Sequence, residues 1–266
     1  MKNSATQKQP YEAFWGSLFG FISNYSNDQK LPSLKEEWIA LNKFESGPYS
    51  NSHFNQLMIN GNIITTSTVE DYIKHKQEYI YSQIKSLTTE ETDCVIELGS
   101  GWGRNIIGLH LLNPDWKLYA GELTVQGSNT LNYFIDKFDL SRIKPFSFDW
   151  CNTDGFYEFF KDKDFKEIVI YSFHSIEQVS YIEIEQIEKI LNLPFNIKFF
   201  HVEPCATQWE TNKVGNPKGW NENYKFILDE LVLKDKIKNL TADSKGFKPN
   251  FEGSGNESIV IHYEKK

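Results

Sequence analysis

One stretch constrains this chain more than any other: a short apolar run that passes straight into alternating glycines. Cys94-Val95-Ile96-Glu97-Leu98 has the look of a buried strand, and Gly99-Ser100-Gly101-Trp102-Gly103 follows without a break. Arg104 to Leu112 then has helical spacing, stopped ahead of Asn113-Pro114. The alternation continues, with strands predicted at 116–122, 143–148, 167–173 and 195–202 and helices at 126–138, 176–191 and 223–233. Strands that alternate with helices pair in parallel through right-handed crossovers. The fold class expected is therefore α/β, a doubly wound, mostly parallel seven-stranded sheet. Residues 258–263 alternate like a strand and should pair with one near 237–240, across a loop holding Gly253-Ser254-Gly255, as an antiparallel C-terminal hairpin.

Upstream the pattern is helical. Residues 1–10 are polar and expected to fray, whereas Phe14, Trp15, Leu18, Phe19 and Ile22 space one apolar face over 11–24. A second short helix is predicted over 34–44, begun near Pro32-Ser33, and 45–62 reads as loop from its Gly, Ser and Asn content. Ser67-Thr68-Val69-Glu70 has capping-box spacing and opens a helix to about Leu87, burying Tyr72, Ile73, Tyr79, Ile80 and Ile84. Residues 1–66 thus read as an N-terminal helical cap or lid, and 67–266 as the main domain. Aromatic residues make up 15% of the chain, and many precede residue 82, including Tyr11, Phe14, Trp15, Phe19, Phe21, Tyr25, Trp38, Phe44, Tyr49 and Phe54. That density suits a lid over a flat or apolar substrate, or simply helix packing.

Charge and cysteine usage exclude some partners. A net charge of −8 over 266 residues argues against a grip on nucleic acid, which needs clustered Lys and Arg. Cys94, Cys151 and Cys205 show no metal-ligand spacing. No apolar run reaches membrane-spanning length and no leader pattern is visible, so no membrane partner is expected and a cytoplasmic location is. The partner expected is a small-molecule substrate, with a homodimer left open.

Open α/β sheets bind ligands at the carboxyl ends of their strands. Gly99–Gly103, Glu122, Asp149, His174–Gln178 and Glu203 therefore share one rim. A dinucleotide fingerprint would need glycine where Arg104 stands, which counts against a nicotinamide or flavin enzyme. An acid, Glu97, instead precedes the first glycine by two residues. Glu97-x-Gly99-x-Gly101-x-Gly103 resembles the first motif of class I (Rossmann-like) S-adenosylmethionine-dependent methyltransferases, and the resemblance runs from Asp93 to the C-terminal strand.

That resemblance implies S-adenosyl-L-methionine as cofactor, held by Glu97, Gly99, Ser100, Gly101 and Gly103. It also implies that Glu122, with Leu123 beside it, takes the two ribose hydroxyls, a task suited to a bidentate carboxylate. Asp149 would meet the adenine amino group, with Trp150 stacking on the ring. The plainer readings are a solvated strand-end charge for Glu122 and a turn residue for Asp149.

Methyl transfer is an in-line displacement, so the protein mainly aligns a nucleophile and excludes water. In the family the segment after the fourth strand often faces the methyl group. Here His174 is a candidate base at neutral pH and Glu177 a candidate for holding or deprotonating a cationic nitrogen. Ser175 and Gln178 alternatively form a capping box. At the end of the fifth strand Glu203 is the expected substrate contact, while His201 is either a contact or a hydrogen-bonded core histidine. Trp209 either walls the pocket or packs. No Asn-Pro-Pro-Tyr-like motif or aspartate cluster is present, and no metal is expected. Glu177, Glu203 and the net charge favour an amine, guanidinium or sugar-like acceptor. A non-catalytic cofactor-binding partner or sensor is the alternative.

Overall fold

The computed structural model describes residues 4–28, 33–46, 56–205, 208–209, 221–249 and 258–266, with side chains from residue 8 and, in the first helix, up to residue 24. The Tyr25 side chain, Pro32, Tyr49, Phe54 and the Gly253-Ser254-Gly255 loop lie outside the described residues. Two helices lead, α1 (Ser4–Asp28) and α2 (Leu34–Ser46), followed by strands β1 (Gln56–Ile59) and β2 (Asn62–Thr65) and helix α3 (Val69–Leu87). The alternating part then runs β3 (Thr92–Leu98), α4 (Arg104–Leu112), β4 (Leu118–Glu122), α5 (Val125–Phe138), β5 (Ile143–Ser147), α6 (Asp154–Phe160) and β6 (Glu167–Phe173). It closes with α7 (Ile184–Leu191), β7 (Asn196–Glu203), α8 (Tyr224–Leu233), β8 (Ile237–Asp243), β9 (Phe247–Pro249) and β10 (Ile259–Lys265).

The main sheet has seven strands in the order β5-β4-β3-β6-β7-β10-β8. Neighbours are parallel from β5 to β7, and β10 is antiparallel to both β7 and β8. Strand order reverses at β3, which pairs with β4 on one side and β6 on the other. Loops after β3 and β6 diverge there and leave a crevice.

Both faces of the sheet are covered, which is why its central strands read as continuous apolar runs. Ile96, Leu98, Ile168 and Ile170 pack on one side with Ile187 and Leu228. Val95, Val169 and Tyr171 pack on the other with Ile80, Ile84 and Phe134. Among the described residues no helix is long and apolar enough to cross a membrane.

Five local expectations need correction. Helix α1 begins at Ser4 and carries Pro10 within it, so 4–10 does not fray; Leu18 and Ile22 are buried, but Phe14 is 42% exposed. The capping residue of α3 is Thr68 rather than Ser67: Asp71 N donates to Thr68 Oγ1 at 3.0 Å, and Ser67 Oγ donates to the Asp71 carboxylate instead. A reciprocal box does form one helix earlier, where Ser33 N donates to Glu36 and Glu36 N to Ser33 Oγ.

Within 45–62, β1 turns into β2 through Asn60-Gly61, at φ 51° and 77°. Left-handed residues at both positions match the twist of a two-residue hairpin. β9 then adds to β1, making a separate three-stranded sheet. The helix predicted over 176–191 is two elements, a 3-10 turn at 176–178 and α7. Asn221 and Asn223 side chains bond Val179 O, Ile182 N and Ile182 O, so the chain between satisfies its polar groups without helix. Helix α6, seven residues long, has no counterpart in the sequence reading.

Candidate active site

The glycine loop is pinned from two directions. Gly99 N and Ser100 N donate to Gly121 O at 2.8 and 2.9 Å, and Gly101 N donates to Glu122 Oε2 at 2.7 Å. Gly99 and Gly103 have φ of 76° and 85°, and a Cβ on Gly99 would fall 1.8 Å from Ser175 Oγ. A side chain there is excluded both by conformation and by space. On the far side Glu45 of α2 accepts from Trp102 Nε1 at 2.9 Å and pairs with Arg104. Trp38 Nε1 donates to Arg104 O at 2.9 Å. The arginine that departs from the dinucleotide fingerprint therefore ties the loop to the N-terminal helices.

A cavity of about 120 Å³ opens at the crevice. Of the residues predicted for the site, Gly99, Gly101, Glu122, Leu123, Asp149, Trp150 and His174 line it. Glu97, Ser100, Gly103, Glu177 and Glu203 do not. Glu97 lies beneath the loop, fully buried, with Oε1 accepting from Asn105 Nδ2 at 2.7 Å; burial pushes its carboxyl up to about 7. Ser175 and Gln178, expected on the rim as a capping pair, also line the cavity, and sequence reasoning missed Lys8, Tyr11, Trp15, Thr124, Phe148 and Val179. For Tyr11 and Trp15 the aromatic density of the N-terminal region was a signal, without an address.

Glu122 stands at the cavity wall, 8% exposed. Its Oε1 accepts from Thr124 N at 2.9 Å and Thr124 Oγ1 at 2.6 Å. Burial raises its carboxyl above the ordinary range, against these hydrogen bonds, which act to lower it. Asp149 Oδ1 accepts from Cys151 N at 2.8 Å. Trp150 Nε1 donates to Ser175 Oγ at 2.8 Å, and its ring meets Phe148 edge-on at 4.9 Å. Ser175 thus serves Trp150 and makes no side-chain cap to the turn that follows, contrary to the capping-box reading.

The other half of the rim differs from expectation. His174 has φ 58° and its Nε2 lies 2.8 Å from Ser258 Oγ. Burial, with Lys76 and Arg104 nearby, lowers its pKa to about 3. The imidazole is therefore neutral at pH 7. Glu203 is fully buried and offers no surface to a substrate. Its carboxylate accepts from Ser172 Oγ at 2.6 Å, Ser175 N at 3.1 Å and Glu177 N at 3.3 Å. It fastens the turn that carries the site's wall. Burial pushes it up to about 7. His201 is a hydrogen-bonded core histidine, with Nδ1 2.8 Å from Ser172 Oγ. Trp209 packs against the sheet core. Gln178 links the two sides of the cavity: its Oε1 accepts from Tyr11 OH and its Nε2 donates to Glu177 Oε1, both at 2.7 Å. Among the described residues no group of three His, Cys, Asp or Glu is placed to hold a metal.

No family model matches the sequence, and no curated protein matches it. Solved structures do match in fold. The O-methyltransferase from Bacillus cereus in complex with SAH superposes with a TM-score of 0.52 at 13% identity, covering 91% of this chain and 96% of its own. A geranyl diphosphate methyltransferase in complex with GPP and sinefungin gives 0.50 at 8% identity, over 75% and 80%. The 4+2 cyclase SpnF gives 0.56 at 13% identity, over 88% and 92%. With its strand order and glycine loop, the chain has the fold of the class I S-adenosylmethionine-dependent methyltransferases. At such identities the likeness is one of fold, and fold alone does not fix the reaction.

Proposed function

We propose that this protein is an S-adenosylmethionine-dependent methyltransferase acting on nitrogen or oxygen of a small molecule. The observation that carries the reading is the meeting of Gly101 N and the Glu122 carboxylate at the wall of one cavity. The residues there fit an adenosyl group. A loop with no room for a Cβ at Gly99 lets backbone approach a ligand, and a carboxylate at the end of the neighbouring strand suits a pair of hydroxyls. Glu122 and Leu123 would hold the ribose, Asp149 the adenine amino group, and Trp150 would flank the ring. The cofactor, when bound, supplies an electrophilic methyl and its own leaving group.

This chain's residues orient and exclude water. Gln178 and neutral His174 would align the acceptor by hydrogen bonds, with the Tyr11 and Trp15 rings screening the site. Burial raises the Tyr11 hydroxyl's pKa well above its usual range, and the charges of Glu177, Glu122 and Glu45 add to the rise. The same negative field favours a cationic acceptor, such as an amine or guanidinium, over an anionic one.

The second reading, a non-catalytic adenosyl-binding partner, is favoured by the state of His174 and Glu203. One holds protons weakly and the other is sealed away, so neither offers an efficient base. Calorimetry with S-adenosylhomocysteine followed by an acceptor panel separates the two. Methylated product from an amine supports the enzyme. Binding without product from any acceptor supports the partner, and no binding at all removes both.

A further inference from the structure

Helix α1 reaches over the cavity from residue 8 to residue 15 and is fastened on both sides of it. On one side the Glu12 carboxylate accepts from Val125 N at 2.8 Å and Gln126 N at 2.9 Å. These are the first two residues of α5, whose opening amides have no partner within the helix and whose dipole attracts an anion. On the other side Tyr11 OH donates to Gln178 Oε1 at 2.7 Å. Between them the Trp15 ring covers the glycine loop, 3.0 Å from where a Cβ on Gly101 would stand. The cavity left beneath measures about 120 Å³, whereas sites for cofactor-sized ligands begin at about 300 Å³. With α1 down, Tyr11 and Trp15 take up part of the space an adenosyl compound would use.

The two halves of α1 are held unequally. Leu18 and Ile22 are buried, and Phe21 stacks on Phe44 with ring centroids 4.0 Å apart, so the second half is anchored on apolar contacts. In the first half Trp15 alone packs against the core, half-buried, whereas Phe14 is 42% exposed and Lys8 is exposed, and Tyr11 and Glu12 are held by the polar attachments just named. Segments with few buried apolar contacts open first.

We infer that the first half of α1 is the gate of this site and Glu12 its latch, so that the geometry described is the closed state and a ligand enters only after residues 8–15 lift. This rests on the adenosyl reading of the cavity. Ligand binds the open fraction alone, and its apparent affinity and association rate are reduced by that fraction.

A covalent latch tests this. Gly16 lies one turn beyond Glu12, and a Cβ there would stand 3.7 Å from Gln126 Cγ, so cysteines at 16 and 126 would tie the base of the gate to α5. In the full chain carrying Gly16→Cys and Gln126→Cys, the oxidised form should bind S-adenosylhomocysteine at least about tenfold more weakly than after reduction. Equal affinity in the two forms overturns the gate. If neither form nor the parent protein binds that compound, the adenosyl reading fails, and hydrogen exchange on the unliganded protein then judges the gate by itself. Amides of residues 8–15, 125 and 126 should exchange far faster than those of β3, and Glu12→Gln should speed exchange at 125 and 126 by about tenfold. Protection of residues 8–15 equal to that of β3, or no response to Glu12→Gln, overturns it.

Discussion

Two carboxylates end parallel strands on the same rim, and they have opposite surroundings. Glu122 closes β4 and accepts from Gly101 N, after the neighbour strand β3, and from Thr124 N, after its own; Glu203 closes β7 and accepts from Ser175 N and Glu177 N, after the neighbour strand β6. Glu122 keeps 8% of its surface and lines the cavity; Glu203 keeps none. The difference lies in what the chain does next. After β4 it turns at Thr124 straight into α5 and leaves the carboxylate at the wall. After β6 it folds a 3-10 turn over the end of β7 and buries Glu203 under Ser175, Ile176 and Glu177. Topology puts an acid on the rim, and the local path decides whether it meets a ligand or holds the wall.

The largest expected effect breaks the scaffold side of this contrast. Glu203→Ala orphans the amides of Ser175 and Glu177 and leaves Ser172 Oγ with His201 alone, and should cost about 4 kcal/mol in urea denaturation. A loss below about 1 kcal/mol would show that Glu203 is not the fastening. On the ligand side, Glu122→Ala should weaken S-adenosylhomocysteine binding about a hundredfold, near 3 kcal/mol, with a smaller change in stability. Unchanged affinity would misplace the ribose.

Next in size is a pH effect. The folded Glu203 carboxyl is pushed up to about 7 from 4.5, so the folded state takes its proton first. Its contribution to stability is fully present below pH 4.5 and is lost as pH rises to 7. Glu203→Gln should therefore flatten the fall in melting temperature across that window, and an identical slope in both proteins would contradict the shift. Glu97 and Lys76 titrate in overlapping ranges, which is why the comparison needs the paired variant. Smallest is Trp150→Phe, which removes the donor to Ser175 Oγ and should cost about 1 kcal/mol of stability by the same denaturation measurement. A neutral result would mean that Ser175 needs no partner.

The sheet was legible because its central strands are buried on both faces and their helices carry one apolar stripe, so composition and period agreed with topology. The loop was legible because Gly99, Gly101 and Gly103 hold positive φ, a conformation that residues with a Cβ rarely adopt. Asn60-Gly61 carried a hairpin signal equally plain, but strands of four residues on either side gave too little alternation to set against a Gly-, Ser- and Asn-rich neighbourhood. The broken helix over 176–191 and the sealing of Glu203 depend on partners far along the chain, Asn221 and Asn223 in one case and the 175–177 turn in the other. The wall built by α1 is the same kind of case. Tyr11 meets Gln178 across 167 positions, and no local pattern announces such a pairing.

Glu45 extends the reach of the site beyond its lining. By bonding Trp102 and Arg104 together, it makes the posture of the glycine turn depend on a helix more than 50 positions upstream. A survey of substitutions scored by ligand uptake would therefore register α2 as sensitive ground, and a map drawn from contacts alone would leave it blank.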